Sequence, residues 1–169
     1  MKNTVLKYGL ISGAVSIGMM CAVLPALFTG NMGRADLLGY TSMFLAALLV
    51  FFGVRSYREG EGGGRLTFGR GFAVGLLITL VSSVCYTAAF QVMYFKLAPG
   101  FGDKFQTCMV DHARASGASA QEVEQTAQLA RTLKRLYDHP VTNAALALAG
   151  TFPVGLVSSA IAAAILRRR

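Results

Sequence analysis

The stretch Phe72–Phe95, FAVGLLITLVSSVCYTAAFQVMYF, contains no Asp, Glu, Lys, Arg or His over 24 residues. A helix needs about 20 predominantly apolar residues to cross the hydrocarbon core of a bilayer. A surface helix of a soluble protein, in contrast, carries a polar face along its whole length. The stretch therefore predicts a transmembrane helix, and it decides the fold class of the chain.

Three further stretches of the sequence share this absence of charge. They are residues 8–28, 37–54 and 141–166, and they hold 21, 18 and 26 residues. Over the whole chain 54% of the residues are apolar and 14% are charged, whereas soluble domains have about 45–50% and about 25%. We therefore expect an all-α fold, a transmembrane four-helix bundle. Residues 1–169 would form a single membrane domain with spans at 8–28, 37–54, 72–95 and 141–166.

The distribution of Lys and Arg predicts how the chain crosses the membrane. The N-terminal segment, the loop between the second and third spans, and the C-terminus are basic, whereas residues 96–140 include six basic and five acidic side chains. Short basic loops stay in the cytoplasm. The prediction is a multi-pass protein of the bacterial inner membrane (cell membrane) with both termini in the cytoplasm. The net charge of +8 then indicates orientation and contact with anionic headgroups, and no nucleic-acid partner.

The basic loop, RSYREGEGGGRLTFGRGF at residues 55–72, resembles a phosphate-binding loop in composition only. It lacks the Gly-Lys pair of a P-loop, and Arg65 stands where a dinucleotide-binding pattern needs glycine. Consecutive glycines favour a turn over a helix, so we expect the second span to end there and Thr67 to cap the third. Headgroup binding is predicted for the four arginines of the loop, Arg55, Arg58, Arg65 and Arg70.

The same region resembles a bacterial family known as domain of unknown function 4199. The resemblance rests on an apolar span, a basic R-x-Y-R exit, a glycine-bearing hairpin and an [ST]-F-x-x-x-F opening of the next span. The matching positions are Arg55, Tyr57, Arg58, Gly64, Thr67, Phe68 and Phe72. Pro99 and the helical segment before the last span also fit, so the resemblance covers nearly the whole chain. It implies a small four-span membrane protein and carries no known chemistry.

The third span carries one stripe of small and polar residues. Its members recur at every fourth position, with Tyr86 beside them, and they are Gly71, Gly75, Thr79, Ser83, Thr87 and Gln91. Small residues let membrane helices approach closely, and hydroxyls form hydrogen bonds between helices. We therefore interpret the stripe as a packing seam against small residues of other spans, such as Gly155 and Ser159. The alternative is a polar path or a ligand groove.

Residues 96–140 are patterned as two amphipathic helices. Phe105, Cys108, Met109 and His112 share one helix face, and Ser119 with Glu122 has the spacing of a capping box that begins a second helix. We expect an extracytoplasmic amphipathic helical hairpin between spans three and four. Cys108 and His112 would supply two ligands where a structural zinc site needs four, so no metal and no cofactor is predicted.

The predicted spans contain no ionisable acid or base, and the sequence shows no arrangement of a nucleophile with a base. Proton-coupled carriers usually place such groups at depth. We therefore interpret the chain as a non-enzymatic membrane protein with a structural, scaffolding or partner-binding role. Its expected partners are the anionic bilayer and either a second copy of the chain, as a homo-oligomer, or another membrane protein. The alternative is a small transporter or channel that uses the stripe of the third span.

Overall fold

The computed structural model describes residues 1–28 and 32–167, which form helices joined by short turns. The helices are α1 (Lys2–Phe28), α2 (Met32–Glu59), α3 (Phe68–Val92), α4 (Phe101–Ala115), α5 (Ala120–Asp138) and α6 (Pro140–Leu166). A π-helical turn, Met93–Leu97, continues α3. No pattern in the sequence predicted this turn, which ends the uncharged run and includes Lys96.

Four of the helices in the described residues are long and apolar enough to cross a membrane. The candidate spans are Lys2–Pro25, Gly33–Glu59, Phe68–Leu97 and Pro140–Leu166. The predicted all-α fold with four spans is confirmed, although the helices extend beyond the uncharged runs that predicted them. Long basic side chains at helix ends reach back to the water. A charged residue therefore marks the limit of the hydrocarbon core, and the helix continues beyond it.

The four long helices form a bundle in which α2 and α3 each contact all three of the others. α1 packs against α2 and α3, and α6 packs against α3 and α2. At one end, Glu61 in the α2–α3 turn pairs with the amino group of Met1 and accepts a hydrogen bond from Thr4 Oγ1 at 3.0 Å. We name this the termini end. At the hairpin end, which carries α4 and α5, Gln91 Nε2 donates to the carbonyl oxygen of Pro140 at 2.7 Å.

The apolar core of the bundle lies near the termini end. It is one cluster of buried side chains drawn from all four spans and the α2–α3 turn: Val5, Val50, Val54, Leu66, Val74, Ile78, Ala162 and Leu166. Gly53 permits this packing, because Ile78 and Tyr8 occupy the space that a side chain at position 53 would need. We call this group the apolar cluster.

Elsewhere the usual distribution of polarity is reversed. The buried polar residues are Ser12, Thr79, Ser82, Ser83, Thr87, Asn143 and Ser159. Large apolar side chains such as Leu80, Val84 and Ile165 are exposed, the last by 65%. A soluble protein would bury the second group and hydrate the first. In a bilayer the exposed side chains contact lipid, and interior hydroxyls such as Ser12 and Ser83 bond to neighbouring helices.

The glycine-rich loop ends α2 as the sequence predicts. Gly63 and Gly64 have positive φ values of 57° and 80°, a conformation that costs glycine little. The N–H of Gly64 bonds to the carbonyl of Arg58 at 2.9 Å, which closes the end of the helix. Thr67 is the N-cap residue of α3, as predicted, but its exposed side chain accepts no hydrogen bond from the helix.

Residues 101–138 form the predicted amphipathic helical hairpin, in which α4 packs against α5. The capping box is present: Ser119 Oγ accepts from the N–H of Glu122 at 3.3 Å, and Glu122 Oε2 accepts from the N–H of Ser119 at 2.7 Å. This second bond lowers the pKa of Glu122, because it favours the carboxylate. On the predicted apolar face of α5, Ala127 and Ala130 are buried.

The side of the membrane on which the hairpin lies can be tested through Cys108. We expect its thiol to react with a membrane-impermeant maleimide added outside intact cells. Burial raises the pKa of this thiol, and Asp111 raises it further. Because the thiolate is the reactive form, labelling should accelerate at higher pH than it does for an unburied thiol.

The control for burial is Ser116→Cys in a Cys108→Ser background, since position 116 is exposed between α4 and α5. This variant should label from outside at an ordinary rate. If it labels only after the cells are lysed, the predicted orientation is wrong.

Candidate functional site

The stripe of α3 lies against α6 at the termini end of the bundle. A Cβ placed on Gly71 would lie 3.2 Å from the Cβ of Ala163, and one on Gly75 would lie 2.8 Å from the Cβ of Ser159. Thr79 occupies the space beside Gly155. Each step of four residues forward along α3 corresponds to a step of four residues backward along α6. The two helices are therefore antiparallel, and their small residues are in register.

Toward the hairpin end the stripe changes from glycine to hydrogen-bonding side chains. Ser83 Oγ accepts from Thr151 Oγ1 at 3.2 Å, and Gln91 bonds to the N-terminus of α6. Thr79 Oγ1 and Thr87 Oγ1 are buried and have no hydrogen-bond partner within the described residues. An unpartnered buried hydroxyl costs about 1–3 kcal/mol, so these two positions need an explanation.

Tyr86, beside the stripe, belongs to an aromatic group at the hairpin end of the bundle. Its ring stacks on Phe90 with the centroids 6.1 Å apart, and Phe90 in turn meets Phe101 of α4 and Tyr137 of α5 edge-on at 6.4 and 6.0 Å. These contacts join α3 to the hairpin. The sequence placed Tyr86 beside the stripe and gave no sign of this aromatic group.

A cavity of about 460 Å³ lies between the four spans and is bounded by α4. The stripe reaches it through Thr79 and Ser83. Hydroxyls from three helices meet there at mid-depth: Ser12, Thr79, Ser82, Ser83 and Thr151. Ser82 Oγ donates to Ser12 Oγ at 3.1 Å, which links α3 to α1. We call these five residues the hydroxyl floor.

The wall of the cavity carries no Asp, Glu, Lys, Arg or His among the described residues. Beyond the hydroxyl floor it is mostly apolar toward the hairpin end, with Met19, Met20, Val23 and Leu24 of α1 on one side. Met93, the first residue of the π-helical turn, and Phe101 lie at the top. The cavity therefore combines a small polar base with a larger apolar body.

The helical hairpin, whose Phe101 lies at the top of the cavity, is held on the end of α3 by polar contacts outside the cavity. Tyr94 Oη donates to Asp138 Oδ1 at 2.6 Å, and Lys134 Nζ lies 3.0 Å from Asp103 Oδ1 and 3.6 Å from Asp138 Oδ2. The hydrogen bond to Asp103, with the charges of both carboxylates, raises the pKa of Lys134. We call these residues the polar clasp. It holds the start of α4 and the end of α5 on the end of α3.

The exposed residues that line the cavity lie on α2 and α6, which indicates an opening between these two helices. Tyr40 and Met43 of α2 line the cavity and are 72% and 45% exposed, and Gly150 of α6 lines it and is exposed. These positions lie 7 and 10 residues inside the candidate spans that begin at Gly33 and Pro140, about 10–15 Å of helix. The opening is therefore at the level of the hydrocarbon, and we call it the lateral opening.

The four arginines of the basic loop are not equivalent. Arg55 Nε lies 2.8 Å from Glu59 Oε1, and Arg58 Nη2 lies 3.1 Å from the same oxygen. Arg65 and Arg70 are exposed and make no ion pair within the part of the chain that the structure describes. Arg55 and Arg58 therefore form ion pairs with Glu59, whereas the side chains of Arg65 and Arg70 lie exposed on the surface.

The functional residues that the sequence missed lie mainly on α1 and α2. The sequence offered Ser12 and Ser16 of the first span as packing partners of the stripe, but no pattern linked them to Ser42. His112 is exposed on α4, and no group of three His, Cys, Asp or Glu in the described residues could hold a metal.

Close packing of α3 on α6 can be tested at Gly75. Gly75→Leu should lower the free energy of unfolding in detergent by about 1–3 kcal/mol, because the added atoms have no room beside Ser159. The matched control is Gly18→Leu, where no atom lies within 4 Å of the new Cβ, and a change within about 0.5 kcal/mol is expected. Equal unfolding curves for the two variants would contradict the packing seam.

Comparison with protein families places these features in a known group. A family model described as "Protein of unknown function (DUF4199)" matches residues 7–168. Comparisons with curated proteins and with solved structures find no match to the chain. The family match covers all four candidate spans almost completely, together with the hairpin. It agrees with the resemblance carried by the basic loop, and the chain therefore belongs to the DUF4199 family.

Proposed function

We propose that the protein is a non-enzymatic binding protein of the membrane, and that its cavity holds a small partner molecule from the bilayer. The observation that carries this proposal is the cavity between the four spans, with the side chains of the hydroxyl floor, from three helices, in its wall. Pockets for small molecules measure about 300–1,000 Å³ and are mostly apolar with a few polar groups. The volume and the lining of this cavity fall within that description.

The chemistry of the wall supports binding rather than catalysis. General acid–base catalysis needs a titratable side chain within hydrogen-bond reach of the substrate. The cavity offers hydroxyls, two tyrosines and apolar groups, and no carboxylate, imidazole or amine among the described residues. A serine hydroxyl without a neighbouring base is a weak nucleophile. The arrangement suits recognition of a polar group and shielding of an apolar one.

We propose the orientation that the basic residues predict, with the termini end in the cytoplasm of a bacterial cell and the hairpin outside the inner membrane. In this orientation Arg65 and Arg70 reach anionic headgroups of the cytoplasmic leaflet. Their exposure without an ion pair in the described residues supports this role. Each basic residue near such a surface contributes about 1 kcal/mol. Arg55 and Arg58 contribute less, because both also contact Glu59.

Occlusion of the cavity tests the proposed function. Ala47 of α2 lines the cavity, and Ala47→Phe should fill part of it. The matched control is Ala88→Phe, because Ala88 is exposed on α3 and does not line the cavity. We expect native mass spectrometry of the parent to show a bound small molecule that Ala88→Phe retains and Ala47→Phe loses. A parent without bound molecules, or the same adducts on Ala47→Phe, would contradict binding in the cavity.

A small transporter or channel is the second candidate, because the cavity lies against Thr79 and Ser83 of the stripe. The apolar cluster, with Ile78 at its centre, separates the cavity from the termini end. A continuous path would have to cross this cluster. If the protein conducts, Ile78→Ala should raise the glycerol permeability of proteoliposomes several-fold over the parent, and the lipid-facing Leu80→Ala should not. Unchanged permeability in all three proteins would rule against a channel.

A further inference from the structure

We infer that the cavity binds an uncharged amphiphile: a lipid-soluble molecule with an apolar chain or ring system and a hydroxyl or carbonyl group. It is taken directly from the bilayer through the lateral opening. This inference rests on the proposed function and names the class of its partner. It is carried by the neutrality of the wall, by the position of the hydroxyl floor and by the level of the opening.

The neutral wall excludes ligands that carry a charge into the bundle. Phospholipids bear a phosphate and fatty acids a carboxylate. Transfer of an ionised group out of water is very costly unless an opposite charge or several hydrogen bonds compensate it. The wall offers no cation among the described residues. A charged headgroup would have to remain at the membrane surface, where it could not reach the hydroxyl floor.

Thr79 indicates that the ligand has a hydrogen-bonding group. The residue lines the cavity and is 5% exposed. Its Oγ1 is covered beside Gly155 of α6 and has no partner within the described residues, so it meets a ligand by rotation of the side chain. A hydroxyl can both donate and accept, so it suits a ligand hydroxyl or carbonyl equally. Thr87 Oγ1 is also buried without a partner, but Thr87 does not line the cavity. Thr87 can therefore serve as the control for Thr79 when ligand binding is measured.

The depth of the hydroxyl floor argues against an ordinary membrane lipid. Thr79 lies 11 residues from the start of α3 at Phe68, about 17 Å along the helix axis. The hydrocarbon core is about 30 Å thick, so the floor lies near its middle. A lipid that is anchored by its head at the surface places only chain carbons there. A molecule whose polar group is uncharged can move to this depth at much lower cost.

The rest of the cavity suits a flexible apolar body. Met19, Met20, Met43 and Met93 line it. Methionine side chains adapt to ligands of different shape because they are unbranched and polarizable. Because the opening lies at hydrocarbon level, a molecule dissolved in the bilayer reaches the cavity without crossing water.

The probe is 1-oleoylglycerol, an uncharged amphiphile, and it is compared with two ligands that have the same oleoyl chain. These are oleate at pH 8 and oleoyl lysophosphatidylcholine. Full-length protein in phospholipid nanodiscs is titrated with each, and binding is followed by native mass spectrometry and by the rise in melting temperature. We expect 1-oleoylglycerol to bind and to raise the melting temperature, and the two charged ligands to do neither.

Variants assign the binding to the cavity. Thr79→Val should weaken the binding of 1-oleoylglycerol about tenfold, because one hydrogen bond to the ligand is lost. Thr87→Val should bind it as the parent does. Without ligand, both variants should melt at or above the temperature of the parent, since each replaces an unpartnered hydroxyl by a methyl group of similar shape. This last measurement separates a loss of binding from a loss of fold.

The outcomes separate the two proposals. If oleate or the lysophospholipid binds as tightly as 1-oleoylglycerol and Ala47→Phe abolishes that binding, the cavity binds ligands but the assigned class is wrong. If Thr79→Val binds like the parent, the role of its hydroxyl is wrong. If 1-oleoylglycerol binds Ala47→Phe unchanged, the site is elsewhere and the inference fails. If neither an adduct nor probe binding is found in the parent, the proposed function fails with it.

Discussion

The close approach of α3 and α6 is the contact on which the rest of the molecule depends. Lipid chains are as apolar as the side chains they would replace, so helices in a bilayer associate through packing and hydrogen bonds rather than through the hydrophobic effect. Gly75 on one helix and Gly155 on the other remove side chains where Ser159 and Thr79 must fit. The two backbones can then run side by side over most of their length.

This approach determines where the polar groups lie. With α6 pressed onto α3, Thr151 reaches Ser83, and Asn143 is fully buried, its Nδ2 donating to the carbonyl of Tyr137 at 2.8 Å. The same contact places the end of α5 beside the end of α3, where Tyr94 meets Asp138. One packing interface therefore positions both the hydroxyl floor and the polar clasp. The cavity is the space that remains between this pair, α1 and α2 on the hairpin side of the apolar cluster.

Among the residues that the structure describes, the interior is polar without being charged, and this has a chemical consequence. A charged group at this depth would require a partner charge and would commit the bundle to ions or protons. Hydroxyls can bond to one another or to the backbone when the cavity is empty, as Thr151 does with Ser83 and with the carbonyl of Ala147. They can also exchange these bonds for a ligand. Such a lining favours neutral molecules and reversible binding.

The sequence by itself determined the fold class, the number of spans, the end of α2 and the capped start of α5. Each depends on local properties: the length of an uncharged run, consecutive glycines, and the spacing of Ser119 and Glu122. It also identified the stripe, because a spacing of four residues defines one face of a helix. These features do not depend on which helix packs against them. A chain in a bilayer, moreover, has few ways other than a helix to satisfy its backbone hydrogen bonds.

Only the tertiary structure decided what the stripe contacts. Gly71 and Gly75 meet α6, whereas Thr79 and Ser83 also line a cavity, and the sequence pattern is the same for both pairs. The difference depends on how α1 and α2 are placed relative to α3 and α6 at each level. The sequence of a single helix does not indicate the positions of its neighbours. The same holds for the polar clasp, where residues 94, 103, 134 and 138 meet through the fold of the hairpin. A cavity is a property of several helices together, so a single helix can indicate its polarity but not its existence.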